Sequence, residues 1–295
     1  MMKIKRKPSE QVFDVFNFLF LSFIVVISFY PIWHALVASF SSNAEVMRHQ
    51  GALLWPVGKM NTGAYKVVFE NPAVLRGYFN TLFILVVGCT VNIVMTSLAA
   101  YILSRKDFMF AKPMMIMIVI TMYFSGGLIP FYFTVKDMGM DGSLWALIIP
   151  TAINTFYLVI LKTSFQGIPD SLEEAAKVDG ARHLAILFKV VLPLSMPTIA
   201  VLILYYGVGH WNSWFNAMIF LRSEREKYPL QLVLREILLQ NTMADSTRIN
   251  SDNAPDIGET VKYALIIVST VPILLVYPFL QKYFVKGVLV GAVKG

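Results

Sequence analysis

One polar segment between two long apolar runs holds the most regular arrangement of ionisable side chains in this 295-residue chain. After Pro169, Ser171 and Glu174 have the spacing of a capping box, and Asp170 with Glu173 offers a second register of the same motif. Such side chains accept hydrogen bonds from the backbone N–H groups in the first turn of a helix. The pattern predicts a short helix that begins immediately after the proline.

Small residues follow on this predicted helix. With a period of 3.6 residues, four side chains fall on one face, namely Leu172, Ala175, Ala176 and Asp179. The two alanines let a neighbouring surface approach closely, and Gly180 permits a sharp change of direction at the end of the helix. We interpret this face as a docking surface for another protein. The alternative is an interfacial helix that binds no partner.

A second amphipathic stretch follows the bend. Four of its apolar residues share one helical face, namely Leu184, Leu187, Phe188 and Val191. Pro193 then opens the next apolar run. The sequence therefore predicts a short helix, a bend and a second helix that lies along a membrane surface.

No other group of reactive side chains indicates chemistry. The histidines are scattered, without the spacing of metal ligands, at positions His34, His49, His183 and His210. The single cysteine, Cys89, lies in an apolar run where packing explains it. No Ser/His/Asp spacing indicates catalysis, and the chain lacks the Gly-x-x-x-x-Gly-Lys-Ser/Thr loop that binds nucleotide phosphates. We therefore expect no enzyme activity, cofactor or metal in this chain.

The composition indicates an integral membrane protein. Hydrophobic residues make up 57% of the chain and charged residues 15%, whereas soluble domains carry about 25% charged residues. The net charge of +7 is spread between apolar runs, so membrane topology explains it better than nucleic-acid binding. We predict an all-α, polytopic fold with six membrane spans. The predicted spans are residues 12–37, 78–103, 113–133, 144–161, 194–221 and 263–284.

The basic residues indicate which side of the membrane each segment faces. One short turn carries Arg105, Lys106 and Lys112, whereas the next carries only Lys136, and short loops rich in Lys and Arg stay in the cytoplasm. We therefore expect both termini and the polar segment on the cytoplasmic side. The predicted divisions are a cytoplasmic N-terminus 1–11, a membrane domain 12–295, a polar segment 162–193 and extracytoplasmic loops 38–77 and 222–260. The centres of the spans lack Asp, Glu, Lys and Arg, which argues against an ion-driven transporter.

The polar segment resembles the signature loop in the membrane subunits of binding-protein-dependent ABC importers. That loop reads Glu-Ala-Ala, three residues, Gly, nine residues, a branched aliphatic residue, any residue and Leu-Pro. The matching positions are Glu174, Ala175, Ala176, Gly180, Leu192 and Pro193, with Val190 where Ile is usual. The resemblance implies a cytoplasmic coupling helix between spans four and five, which sits in a cleft on an ATPase subunit. Glu174 is then the expected polar contact, and Asp179 lies on the same predicted face.

Further segments resemble the maltose-type carbohydrate permeases of that family. They are residues 80–82, 97–101 and 281–295, and residues 126–130 and 228–231 are similar to the branch that imports oligosaccharides or uronide-containing glycans. The resemblance implies a bacterial cytoplasmic membrane, a second homologous permease, two ATPase subunits that bind ATP and Mg, and an extracytoplasmic sugar-binding protein. It also implies that a C-terminal tail contacts the ATPases, through Gly291, Val293, Lys294 and Gly295. The alternative from another class is a membrane scaffold or receptor with an interfacial amphipathic helix.

Two further expectations concern the outer half of the protein. The loop 222–260 corresponds by position to one that enters the binding protein in the maltose system, and a plain connecting loop is the alternative.

The second expectation concerns a path for the substrate. Aromatic rings and amides complement the apolar faces and hydroxyls of sugars. The candidate substrate-path residues are Asn154, Tyr157, Tyr206, His210, Trp211, Asn212, Trp214 and Asn216. The alternative is an interfacial aromatic belt with interhelical hydrogen bonds.

Overall fold

The computed structural model describes residues 8–49, 51–247 and 258–292, and it divides into two compact units. The first comprises Met1–Asn71 and Ile237–Val271, and the second Pro72–Glu236 and Pro272–Gly295. Every regular element among the described residues is helical, so the predicted all-α class is confirmed.

The first unit contains three complete helices, α1 (Pro8–Ser39), α2 (Asn43–Arg48) and α3 (Gly63–Glu70), with parts of α14 and α15. Its small core forms around Val37 and Ala38 at the end of α1. Asn43 Oδ1 accepts hydrogen bonds from the backbone N–H groups of Glu259, at 2.8 Å, and Thr260, at 3.4 Å. These donors lie in the first turn of α15, where no intrahelical acceptor exists, so Asn43 caps that helix from outside it.

The second unit contains most of the remaining helices. They are α4 (Pro72–Ser104), α5 (Ala111–Tyr123), α6 (Leu128–Asp137), α7 (Trp145–Ile148), α8 (Thr155–Gln166), α9 (Asp170–Val178), α10 (His183–Ile186), α11 (Leu192–Leu194), α12 (Met196–Trp211) and α13 (Phe215–Phe220). The long helices α14 (Leu230–Thr247) and α15 (Gly258–Ala292) each have residues in both units. The main core of this unit forms where α4, α8, α12 and the residues after α10 meet, around Leu161, Phe165, Leu187 and Leu202.

Six candidate spans are present if each bent helix pair is counted as one. Three described helices are long and apolar enough to cross a membrane, namely Ser9–Ser39, Pro72–Ser104 and Gly258–Val276. Three bent pairs complete the set, namely Ala111–Tyr123 with Leu128–Asp137, Trp145–Thr151 with Thr155–Gln166, and His183–Leu194 with Met196–Trp211. Their bends are 119°, 50° and 85°. The third, fourth and fifth of the six predicted spans therefore each correspond to a bent pair and not to one continuous helix.

The break in the third span has an identifiable cause, and two other spans have boundaries that differ from the prediction. In the predicted span 113–133 the helix stops at Tyr123, and Gly127 has φ +85°, a conformation that costs glycine little and other residues more. The predicted fifth span ends at Trp211, not at residue 221, because the chain leaves the helix at residues 212–214. There Asn212 Nδ2 donates to the Val208 carbonyl at 3.0 Å, which satisfies an acceptor in the last turn of α12. The second span begins at Pro72, six residues before the predicted start.

The two predicted outer loops contain helices of their own. Loop 38–77 includes α2 and α3, and loop 222–260 includes α14, whose first residues Leu230, Leu232, Val233 and Leu234 are buried. A side chain on Gly77 would come within 3.0 Å of the Leu230 Cα atom, so this glycine lets the loop pack directly on α4. The reading of 222–260 as a polar connection therefore missed a packed helix.

Candidate docking surface and polar cavity

Helix α9 occupies the polar segment where the sequence predicts a helix, and its N-terminus is held differently from the prediction. Pro169 is the N-cap residue, and no side chain caps the first turn. The predicted capping boxes are therefore absent. Asp170 pairs instead with Lys106, and Glu173 with Arg105. Both cations lie in the turn after α4, so these carboxylates attach α9 to a neighbouring element.

The Arg105–Glu173 pair is the more deeply placed of the two. Glu173 is buried, while Arg105 also stacks over the Tyr101 ring with its Cζ atom 4.5 Å from the centroid. A buried carboxylate without a cation costs several kcal/mol, so the arginine fixes where Glu173 sits. The Lys106–Asp170 pair is exposed. Its hydrogen bond raises the pKa of the Lys106 amine and lowers the pKa of the Asp170 carboxyl.

A complete Schellman motif ends α9. The Ala181 N–H donates to the Ala176 carbonyl at 2.9 Å and the Gly180 N–H to the Lys177 carbonyl at 3.0 Å, with Gly180 at φ +80°. A Cβ added to Gly180 would meet nothing within 4 Å. Within this chain the glycine is therefore needed for its backbone conformation, and not to make room for packing.

The outer surface of the segment is exposed and partly apolar. Glu174, Ala175, Asp179 and Gly180 are exposed, whereas Ala176 is half-buried against the core. Val178, which the sequence analysis did not single out, is 88% exposed. Leu192 is half-buried and Pro193 exposed. We call the exposed residues Leu172, Glu174, Ala175, Val178, Asp179 and Gly180 the docking surface.

The second stretch does not present one apolar face. Leu187 and Val191 are buried, but Leu184 and Phe188 are 61% and 55% exposed. Residues Leu187–Val191 form a π-helix, so a 3.6-residue period does not hold along the whole stretch. Leu184 and Phe188 therefore add exposed apolar area beyond the bend.

A second candidate site is a cavity of about 320 Å³ in the same unit. It lies where the break between α7 and α8 faces α12 and the residues that follow α12. Seven of the eight predicted substrate-path residues line it, namely Asn154, Tyr157, Tyr206, His210, Asn212, Trp214 and Asn216. The eighth, Trp211, is buried outside the lining, with its ring 6.3 Å from that of Tyr78. Of the described residues around the cavity, none is Asp, Glu, Lys or Arg.

Asn92, which the sequence analysis missed, holds the break beside the cavity. Its Nδ2 donates to the carbonyls of Thr151 and Ala152, at 2.7 and 3.0 Å, which the break leaves without helical partners. Its Oδ1 lies 2.7 Å from His210 Nε2. Because the amide nitrogen already donates twice, Oδ1 is the acceptor, and His210 carries its proton on Nε2. The signal in the sequence was an Asn in the middle of an apolar span, because such a side chain usually bonds across helices.

Tyr206 makes a parallel connection one turn away. Its hydroxyl accepts from the Asn154 N–H at 3.0 Å and lies 2.8 Å from Thr96 Oγ1. The Tyr157 ring packs edge-on against the Tyr206 ring, with centroids 4.8 Å apart. Gly88 completes the arrangement, since a Cβ there would lie 2.6 Å from His210 Nε2. Helix α4 thus positions the rings and amides that line the cavity.

The predicted C-terminal contact residues lie almost entirely outside the described part of the chain. Gly291 belongs to the last turn of α15, while Val293, Lys294 and Gly295 are outside the described residues. Among the described residues, no group of three or more His, Cys, Asp or Glu could hold a metal ion.

Comparisons with known proteins define the class. Residues 82–290 match the family described as binding-protein-dependent transport system inner membrane component. The match covers more than half of the chain, and this protein belongs to that family of ABC importer permeases. Such a permease is a transport subunit with no cofactor of its own, and it works with a partner permease, ATPases and a substrate-binding protein in a cell membrane. The alternative of a scaffold or receptor is not supported.

Individual proteins of the family show which members this chain is similar to. The chain is 42% identical to the polygalacturonan/rhamnogalacturonan transport system permease protein YtcP of Bacillus subtilis, over 97% of this chain and 99% of that protein. It is 40% identical to protein LplC of the same organism, over 97% and 96%. A chain in the crystal structure of a bacterial ABC transporter involved in the import of the acidic polysaccharide alginate superposes with a TM-score of 0.84, at 32% identity, over 96% of this chain and 100% of that one.

Proposed function

We propose that this permease forms half of the translocation path for an oligosaccharide, and that the path passes through the cavity beside α12. The observation that carries the proposal is the lining itself. The cavity has the size of a small-ligand pocket. The described residues that line it supply mainly aromatic rings, amides and hydroxyls, and none of them carries a carboxylate or an amine. Such walls suit the apolar faces and hydroxyl groups of a sugar.

The relatives support a carbohydrate as the substrate. YtcP is named for polygalacturonan and rhamnogalacturonan, and the alginate transporter for an acidic polysaccharide. On this basis the proposed substrate is an oligosaccharide that carries carboxylate groups, delivered by an extracytoplasmic binding protein. Loop 222–260 is then the segment that faces the binding protein.

The test uses reconstituted transporter and labelled oligogalacturonate uptake. Replacing Asn212 or Asn216 by Ala removes an amide from the lining, and each should raise KM about three- to tenfold, since a hydrogen bond contributes about 0.5–1.5 kcal/mol. Tyr123→Ala is the control, because Tyr123 is 78% exposed on α5 and does not line the cavity. Unchanged KM in both Asn variants would contradict the proposed path.

The docking surface is the proposed contact with one of two ATPase subunits, which bind ATP and Mg. Its supporting features are an exposed carboxylate, Glu174, a small neighbour, Ala175, and apolar Val178 on a helix whose position is fixed by ion pairs. The tail residues Gly291–Gly295 are a second proposed contact. ATP-driven closure of the ATPases would then move α9. Because ATP would bind more tightly to the transporter in one of its two conformations than in the other, ATP binding would drive the change between them.

A continuous packed route connects the two sites. Asn154 at the N-cap of α8 lines the cavity, and Phe165 near the end of α8 is buried in the core that includes Leu187 and Val191. The twelve residues of α8 span about 18 Å at 1.5 Å per residue. We propose that α8 transmits the movement of α9 to the break beside the cavity.

The proposed orientation places the docking surface and both termini in the cytoplasm. In a Cys89→Ser background, single cysteines at Asp179 and at Lys136 report opposite sides of the membrane. A membrane-impermeant maleimide added to intact cells should label position 136 and not position 179. Labelling of position 179 from outside would overturn the coupling proposal.

A further inference from the structure

Arg235 in α14 is held by an aromatic ring and a thioether, and among the described residues its charge has no counter-ion. Its Cζ atom lies 4.0 Å from the centroid of the Trp214 ring, and Nη1 lies 3.2 Å from Met218 Sδ. A thioether sulfur is a weak acceptor. No carboxylate among the described residues pairs with this guanidinium, whereas Arg76 and Arg105 in the same unit each pair with a glutamate.

The Trp214 ring connects this guanidinium to the cavity. Trp214 lines the cavity together with Asn212 and Asn216. Arg235 is not part of the lining, but it stacks on this lining ring. Stacking on an aromatic face occupies the face of a guanidinium, and its in-plane N–H groups remain available apart from the one on Nη1 that points at Met218. Those N–H groups form a planar fork that matches a carboxylate through two parallel hydrogen bonds.

A substrate with carboxylates needs such a group, and the lining does not supply one. None of the described lining residues is Lys or Arg, while moving a carboxylate from water into a poorly hydrated cavity is costly unless a cation or several donors receive it. Arg235 is restrained by its contacts with Trp214 and Met218. It therefore loses less side-chain entropy on binding than a free surface arginine.

We propose that Trp214 and Arg235 form a subsite for a carboxylate-bearing sugar residue, which rests on the proposed function. The indole face that Arg235 does not cover takes the apolar face of the sugar, and the guanidinium takes a carboxylate that reaches past the ring edge. The subsite makes Arg235 a determinant of specificity for acidic over neutral sugars. It is distinct from the amides of Asn212 and Asn216, which suit hydroxyl groups of either kind of sugar.

The rival role for Arg235 is to hold the Trp214 ring in place. The two roles differ in what happens to a neutral substrate. A supporting residue would affect acidic and neutral sugars alike, because both use the ring. A carboxylate-binding residue would affect only the acidic sugar.

The experiment measures uptake by the complete transporter in proteoliposomes, with the binding protein at saturation. The probes are trigalacturonate and its neutral trimethyl ester. R235Q should raise KM for trigalacturonate about tenfold or more and leave KM for the ester within about twofold, since a hydrogen bond to a charged group is worth about 1.5–3 kcal/mol. R235K should fall between R235Q and the unmodified protein, because it keeps the charge and loses the fork.

R222Q is the matched control. Arg222 lies between α13 and α14 and stacks over Tyr132, with Cζ 5.3 Å from that ring centroid. Tyr132 is not part of the cavity lining. R222Q should leave both KM values unchanged. Equal losses of both probes in R235Q, or no change in either, would overturn the subsite while leaving the proposed function intact. Failure of the unmodified transporter to import either probe would overturn the proposed function, and the subsite with it.

Discussion

The docking surface and the cavity are built in the same unit by opposite means. Helix α9 is attached to its neighbour by ion pairs, Arg105 with Glu173 and Lys106 with Asp170. The cavity is held by neutral hydrogen bonds from Asn92 and Thr96. The difference follows from where each region lies. Charged side chains are tolerated at the polar end of a helix bundle, whereas a charged side chain between membrane spans is costly. Neutral amides and hydroxyls satisfy polar groups there at lower cost.

The two regions share one principle despite this difference. In each, one buried side chain that fixes the geometry has an exposed counterpart of the same residue type. Glu173 is buried while Glu174 is exposed, and Asn92 is buried while Asn212 is exposed. The comparison predicts that inward residues govern stability and that outward residues govern transport.

The largest expected effect is on the neutral network. Asn92→Leu leaves two carbonyls and the His210 N–H without partners, and each such group costs about 1–3 kcal/mol. We expect a loss of about 3 kcal/mol or more, which lowers the melting temperature of the purified transporter by about 6–12 °C. Thr90→Ala on the same helix is the control, because Thr90 is exposed and bonds only within α4. Equal melting temperatures for Asn92→Leu and Thr90→Ala would remove the structural role of Asn92.

The next effect separates the two glutamates of α9. Glu173→Ala leaves Arg105 without its carboxylate partner at a largely buried position. We expect the free energy of unfolding to fall by about 3 kcal/mol, which is the lower end for buried pairs because Arg105 is partly exposed. Glu174→Ala removes an exposed carboxylate and should change stability by less than about 0.5 kcal/mol.

The two glutamate variants should rank differently in transport activity than in stability. We expect substrate-stimulated ATPase activity to fall at least tenfold in Glu174→Ala, because its proposed contact lies in the partner subunit. Thermal unfolding and ATPase assays on the same preparations test both variants. A stable, fully active Glu174→Ala transporter would refute the docking role, and an unchanged melting temperature in Glu173→Ala would refute the division between inward and outward residues.

How much of this arrangement the sequence could reveal depends on the range of the interactions. Apolar runs and the Gly180 bend are local features, so helices and the end of α9 were predictable. The capping boxes failed because Asp170 and Glu173 find cations in the turn after α4, more than 60 residues away. Trp211 does not line the cavity because it lies about 100° around the helix from His210. The role of Asn92 depends on a helix break 59 residues further along the chain, which no local pattern encodes.

A smaller effect tests what Gly180 contributes. Gly180→Ala places a Cβ in a left-handed conformation and should cost about 1–2 kcal/mol, whereas Gly180→Asn should cost less, because asparagine tolerates that region. If the bend matters only for its backbone conformation, Gly180→Asn keeps most of the transport activity. If the glycine is needed for close approach of the ATPase, both variants lose activity equally. Uptake rates normalised to the amount of folded transporter distinguish the two outcomes.

The smallest effect concerns the exposed pair of Lys106 and Asp170. The folded-state pKa of Asp170 is lowered, so its contribution to stability is present above its unfolded pKa of about 3.9 and is lost as the pH falls through the folded value. The folded-state pKa of Lys106 is raised, so its contribution is present below about 10.4 and is lost as the pH rises through the folded value. The difference in melting temperature between the unmodified protein and Asp170→Asn should therefore be constant from about pH 5 to 9.

Because the side chains of Lys106 and Asp170 are both exposed, that difference in melting temperature should shrink as salt is added. The difference in melting temperature caused by Glu173→Gln should persist in high salt, because the Arg105–Glu173 pair is shielded from solvent. Equal salt sensitivity of the two variants would show that the two ion pairs do not differ in burial.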